Sequence, residues 1–148
     1  MASHLEGVIS VLLIGPPDTR REALRDILAP PHWEIGEAAT YGEAVEILDN
    51  RPIAVVICDA AFENGNWQAL LADLQRRSHP PSLVVSSRLA DERLWAEVLN
   101  LGGYDVLAQP FDSREVLRVA RMAWMAWRRK PESRASEGYG GGARAAAG

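Results

Sequence analysis

Residues Ile53 to Gly65 read IAVVICDAAFENG. Apolar residues, several of them β-branched, run from Ile53 to Cys58 at both parities, so no polar face is left. Such a strand is covered on both sides, as strands inside a parallel sheet are. The run stops at one acid, Asp59, and Asn64-Gly65 marks a turn before the next helix.

Working outward, GVISVLLIG (Gly7 to Gly15) has the same two-faced character. TRREALRDIL follows, with Ala23, Leu24, Ile27 and Leu28 at helical spacing, until Pro30 and Pro31 end it. HWEIGEA (His32 to Ala38) is a more polar strand and belongs near a sheet edge. Thr40-Tyr41-Gly42-Glu43 has the capping-box pattern, and Ala44, Val45, Ile47 and Leu48 form the buried stripe of that helix. Beyond Gly65, a helix from about Asn66 to Gln75 carries Leu70, Leu71 and Leu74 on one side. SLVVSS (Ser82 to Ser87) is the fourth strand, and Asp91 to Leu101 is helical up to a glycine stop at Gly102-Gly103. YDVLA (Tyr104 to Ala108) is the fifth strand, Gln109-Pro110 a tight junction, and Asp112-Ser113-Arg114-Glu115 opens a final helix reaching about Arg129.

Strand and helix alternate five times, which implies an α/β domain with a parallel sheet and helices on both faces. Right-handed crossovers leave few topologies, and the flavodoxin-like (βα)5 order 2-1-3-4-5 fits best. It sets the two most apolar strands, the first and third, side by side. Ligand chemistry in open α/β sheets lies at the C-terminal ends of the strands, where Gly15, Pro16 and Asp59 fall. The expected organisation is one domain over residues 1–130 and a flexible Gly/Ala-rich tail over 131–148, whose large apolar content is Tyr139 alone.

The bulk numbers exclude several classes. Hydrophobic residues are 47% and charged residues 24%, with a net charge of −4, so a nucleic-acid-binding domain is not expected. No apolar run approaches the roughly 20 residues of a membrane span, and the N-terminus lacks a signal-peptide pattern. Cys58 has no partner for an internal disulfide, which fits a cytoplasmic setting. His4, His32 and His79 lack metal-ligand spacing. Gly15-Pro16-Pro17 reads as a stiff turn, since prolines remove the backbone donors an anion cradle needs.

From Val8 to Arg129 the chain resembles the receiver domain of two-component response regulators. The resemblance rests on Asp59 after the third strand, Ser87 after the fourth, and Gln109-Pro110-Phe111 within NLGGYDVLAQPF after the fifth. It implies a non-enzymatic signalling module of the CheY-like type. In this family the aspartate at the position of Asp59 takes a phosphoryl group from a histidine kinase. Mg2+ held by an acidic pair after the first strand balances the added charge, helped by a lysine after the fifth. A hydroxyl after the fourth strand contacts the phosphoryl group.

This chain departs from that pattern at decisive places. Gly15 and Pro16 occupy the acid-pair positions, Asp18 lies a few residues late, and Gln109 replaces the lysine. An acyl phosphate adds about two negative charges, here met by hydroxyl, amide and backbone donors alone. The expectation is therefore a degenerate receiver without a metal cofactor, with Asp59 as acceptor-like carboxylate and Ser87 and Gln109 as phosphate-contact positions. The alternative is a working phosphoacceptor using Mg2+ with the help of Asp18 or water. A small flavodoxin-like ligand binder is a third class. Expected partners are a histidine kinase or another signalling protein, and a second copy through the face made by the fourth and fifth helices. Trp95, Trp124 and Trp127 are the contact candidates there.

Overall fold

In the computed structural model, which describes residues 8–130, five parallel strands form one sheet. They are β1 (Ile9–Ile14), β2 (Trp33–Ala38), β3 (Val55–Asp59), β4 (Ser82–Ser87) and β5 (Asp105–Ala108). The order is β2-β1-β3-β4-β5, as the apolar runs require: the polar strand lies at the edge and β1 pairs with β3 in the middle. Five helices connect the strands: α1 (Thr19–Ile27), α2 (Tyr41–Asn50), α3 (Trp67–Gln75), α4 (Glu92–Leu101) and α5 (Ser113–Arg129). The tail expected at 131–148 lies outside the described residues, as does His4. No helix among the described residues is long and apolar enough to cross a membrane.

The period-2 geometry of the strands divides the core into two layers. Leu12, Ile14, Val56, Cys58, Leu83 and Val85 point to one side, where they meet Ala44 of α2, Leu70 and Leu74 of α3, and Val98 of α4. Val11, Leu13, Val55, Ile57, Val84 and Leu107 point to the other, against Leu24 of α1 and Val116, Ala120 and Ala123 of α5. Cys58 is fully inside the first layer, and burial pushes its thiol far above the usual range, so it is an inert core residue.

The helix boundaries follow the capping chemistry. Thr40 Oγ1 accepts from Glu43 N at 3.1 Å while Glu43 Oε1 accepts from Ala39 N at 2.8 Å. The side chains of Asp91 and Asp112 cap α4 and α5 by accepting from Leu94 N and Glu115 N, and Gly102 closes α4 in the left-handed conformation at φ 107°. One element is absent from the sequence reading. The loop after Asp59 folds into a small ribbon, Ala61–Phe62 paired antiparallel with Gly65–Asn66, and Asn64 takes a positive φ at its turn. Glu63 O accepts from Tyr41 N at 3.1 Å, which ties this loop to α2.

Candidate functional site

Asp59 is the last residue of β3, so its carboxylate leaves the sheet at the C-terminal edge. Its register partner on β4 is Ser86. Ser86 Oγ donates to Asp59 Oδ1 at 2.9 Å. Gln109 follows β5 and is held there by its own N–H, which donates to Ser87 O at 3.0 Å. Its side-chain Nε2 donates to Asp59 Oδ1 at 3.2 Å and to Ser86 Oγ at 3.1 Å. Carboxylate, hydroxyl and amide thus close a triangle. Gln109 Oε1 is buried without a hydrogen-bond partner among the described residues, which is a local cost of this arrangement.

Gly15 forms the floor. A Cβ placed there would stand 3.1 Å from Asp59 Oδ2, so the carboxylate lies against bare backbone where the family pattern has an acid. Pro16 O accepts from Asp18 N at 2.8 Å, making the stiff turn into α1. Asp18 is the N-cap of α1 and accepts from Arg20 N at 3.0 Å.

The fourth partner is a cation. Arg20 Nη1 lies 3.5 Å from Asp59 Oδ2, and Nη2 of the same guanidinium donates to Asp18 Oδ2 at 2.7 Å. The expectation of uncharged donors alone is corrected on this point: one guanidinium bridges the two acids. A sequence signal for it existed. Thr19-Arg20-Arg21 puts two arginines in the first turn of α1, where the helix dipole disfavours positive charge. Both have acid partners: Arg20 as described, and Arg21, whose Nε lies 2.9 Å from Glu37 Oε1.

Burial above Leu13, Leu24, Ile57 and Phe111 pushes the Asp59 carboxyl above its usual range. The Ser86 bond, the Arg20 charge and the Gln109 bond pull the other way, and the nearby Asp18 charge adds to the upward push. Asp18 is held below the usual range, first by its side-chain bond to Arg20.

Ser87, the residue expected at the phosphate, is placed differently. One residue along a strand reverses the side chain, and Ser87 Oγ accepts from Leu89 N at 3.1 Å in the turn after β4. Ser86 has the contact instead. Replacing Ser86 by Ala removes a bond that favours the ionised form, so the Asp59 pKa rises further. Ser87→Ala leaves it unchanged. A carbon-13 carboxyl titration by NMR on the two variants checks both statements, and equal shifts would refute the assignment.

The three tryptophans separate. Trp95 on α4 is 49% exposed and stands beside Leu99, Tyr104, Arg118 and Met122, on the face of α4, β5 and α5. Trp124 and Trp127 do not share it. Both are partly buried against the second core layer and line a cavity of about 390 Å3 with Val8, Ser10, Pro52 and Ala54, at the end of the sheet remote from Asp59. Trp127 stacks on His79 with ring centroids 4.4 Å apart, and His79 Nε2 lies 3.1 Å from Trp127 O. The late turns of α5 do pass the sheet, but they fold over its lower edge.

Comparison with known proteins agrees with this geometry. The family profile described as "Response regulator receiver domain" matches residues 11–121. Regulatory protein VirG of Agrobacterium tumefaciens (strain 15955) is 24% identical over 113 residues, which are 76% of this chain and 42% of VirG. The chain therefore spans less than half the length of that relative. The signal receiver domain of an HD domain-containing protein from Pseudomonas fluorescens Pf-5 superposes with a TM-score of 0.74 at 23% identity, over 83% of this chain and 99% of the other. A CheY-like response regulator receiver domain protein from Methanospirillum hungatei JF-1 gives a TM-score of 0.73 at 16% identity, over 84% and 99%. With an acid at the end of the third strand of a 2-1-3-4-5 sheet, and a profile match across most of that sheet, the chain belongs to the response regulator receiver domain family of two-component signalling.

Proposed function

We propose that this receiver domain signals by protein contact, and that Mg2+-dependent phosphorylation of Asp59 is impaired because Arg20 has taken over the work of the metal. The observation that supports this reading is the guanidinium bridge between Asp59 and Asp18. A hard divalent cation needs about six oxygen ligands at short range. Here Asp59 has no acid beside it at positions 15 and 16, which are Gly and Pro, and Asp18 is engaged by Arg20 and by the start of α1. Among the described residues, no three His, Cys, Asp or Glu side chains converge on a metal position. The donor set suits a fixed organic cation and does not suit Mg2+.

Access points the same way. The inner cavity at Asp59 holds about 10 Å3, at the limit for one water. An outer cleft of about 420 Å3 is lined by Asp18, Thr19, Arg20, Arg88, Gln109 and Pro110. Arg20 lines both and stands between the carboxylate and the cleft from which a phosphodonor would come. Acetyl phosphate with Mg2+, followed by intact-protein mass spectrometry, tests the reading. Little or no adduct at Asp59 is expected. Rapid and complete labelling would favour the other reading, a working phosphoacceptor for a histidine kinase.

For the contact itself, the face of α4, β5 and α5 is the candidate, with Trp95 and Met122 each about half exposed. Histidine kinases, other signalling proteins and a second copy are the partner classes. The beryllofluoride-activated NtrC4 receiver domain, a fold relative at 18% identity and a TM-score of 0.73, is a dimer. Sedimentation across concentration reads the last of these: a dimer that weakens in Trp95→Ala supports self-association through this face, and a monomer throughout removes it.

A further inference from the structure

We infer that the cavity at the lower end of the sheet is a binding site for a small aromatic zwitterion, the chemistry of a free aromatic amino acid. At about 390 Å3 it falls within the size range of small-molecule sites. Its walls come from three places. Ser10 of β1 and Glu34 of β2 are register partners, so their side chains leave the same face of the sheet. Ala54 lies just before β3, and the last turns of α5 supply Trp124, Trp127 and Arg128. Neither Asp59 nor Trp95 borders it.

Both indole rings are held in place before any ligand arrives. Trp127 stacks on His79 with ring centroids 4.4 Å apart, and the Arg128 guanidinium lies 4.8 Å from the Trp124 centroid. Rings fixed in advance lower the ordering cost of binding. Trp127 Nε1 is buried and has no hydrogen-bond partner among the described residues, so one donor of the cavity wall lacks an acceptor. Glu34 and Arg128 line the same cavity and are both exposed, yet they do not pair. Seven ion pairs occur among the described residues, and neither side chain takes part in any of them. An acid and a base on one cavity, without a partner of their own, are set to be bridged by a third molecule.

This inventory selects the ligand. An ammonium suits the Glu34 carboxylate, and a carboxylate suits the Arg128 guanidinium and the Trp127 donor. A flat apolar body suits the indoles. A free aromatic amino acid carries all three groups in one small molecule. A polyanion, such as nucleic acid or an anionic membrane, would meet Glu34 in the same cavity. The site lies at the opposite end of the strands from Asp59 and does not depend on the state of that carboxylate.

The test uses the full chain labelled with nitrogen-15 and follows the indole Nε1–H resonances of Trp124 and Trp127 by NMR, with that of Trp95 as the remote control. L-Phenylalanine is the probe. Beside it are run phenethylamine, which lacks the carboxylate, 3-phenylpropionate, which lacks the ammonium, and glycine, which lacks the ring. L-Phenylalanine should shift both indole resonances saturably, with a Kd of about 1 mM or tighter, and leave Trp95 in place. Each single-charge analogue should bind at least about threefold more weakly, the scale of one partly exposed ion pair. Glycine should not saturate. Glu34→Gln should erase the preference over 3-phenylpropionate alone, and Arg128→Gln the preference over phenethylamine alone, a crossed pattern that loss of folding does not produce. No saturable shift at either indole up to about 20 mM, as a cavity filled by a chain terminus would give, would overturn the inference. So would equal affinity for the three phenyl compounds, or preferences unchanged in the two variants.

Discussion

Gly15→Asp, Pro16→Asp and Gln109→Lys, combined with Arg20→Ala, should raise the rate of Asp59 labelling by acetyl phosphate and Mg2+ at least about 100-fold over the unaltered chain. The reason is the charge count at the carboxylate. Phosphoryl transfer needs little covalent help and much charge stabilisation, and each missing preorganised cation or donor costs about 3 kcal/mol of barrier. The four changes restore two acids for a metal and an ammonium for the phosphoryl oxygens, and remove the guanidinium between Asp59 and the outer cleft. A side chain at position 15 begins 3.1 Å from Asp59 Oδ2, so the carboxylate must also turn away from its floor. Leaving Arg20 in place should blunt the gain, because an arginine and a metal compete for the same oxygen. Labelling of the unaltered chain at the rate of the variant, read by mass spectrometry over time, would contradict this.

The second large effect is on stability. Asp59→Asn should stabilise the domain at pH 7 by on the order of 1 kcal/mol, the usual scale for neutralising a costly functional group. Burial raises the folded-state pKa of Asp59 above its ordinary value, so the folded state binds this proton more tightly than the unfolded chain does. Stability from this group is therefore greatest below the unfolded carboxylate pKa and falls as pH rises through the folded one. Asparagine keeps an oxygen for the Ser86 and Gln109 donors and carries no charge to desolvate. Arg20 retains Asp18 as its partner in the variant. The advantage of Asn should shrink as pH approaches 4 and disappear below it. Urea unfolding of both proteins at pH 7 and pH 4 measures this, and a less stable Asn variant at pH 7 would show that the Arg20 pair outweighs burial.

Most of the architecture was legible because it is written in short-range patterns. Two-faced apolar runs give central strands, the polar run Trp33 to Ala38 gives the edge, and Thr40, Asp91 and Asp112 mark helix starts. What escaped depends on where long side chains and strand ends come to rest. Arg20 reaches Asp59 across 39 positions of sequence, and no periodicity encodes that reach. Ser86 and Ser87 are adjacent with identical chemistry, and only the register of β4 on β3 decides which faces the carboxylate. The ribbon after Asp59 has two residues per strand, too few for alternation to show. Trp124 and Trp127 have the helical spacing of a contact face, but the length of α5 relative to the sheet carries them to its lower edge.

Arg20 as the resident cation of Asp59 is best tested by titrating Mg2+, alone and with beryllofluoride, into isotopically labelled protein, with the amide resonances of Gly15, Asp59, Ala60 and Gln109 followed by NMR. Those resonances should stay in place to millimolar Mg2+ in the unaltered chain and should begin to move in Arg20→Ala. Saturable shifts at all four amides in the unaltered chain at submillimolar Mg2+, deepened by beryllofluoride, would mean that the carboxylate still holds a metal and that the guanidinium yields to it.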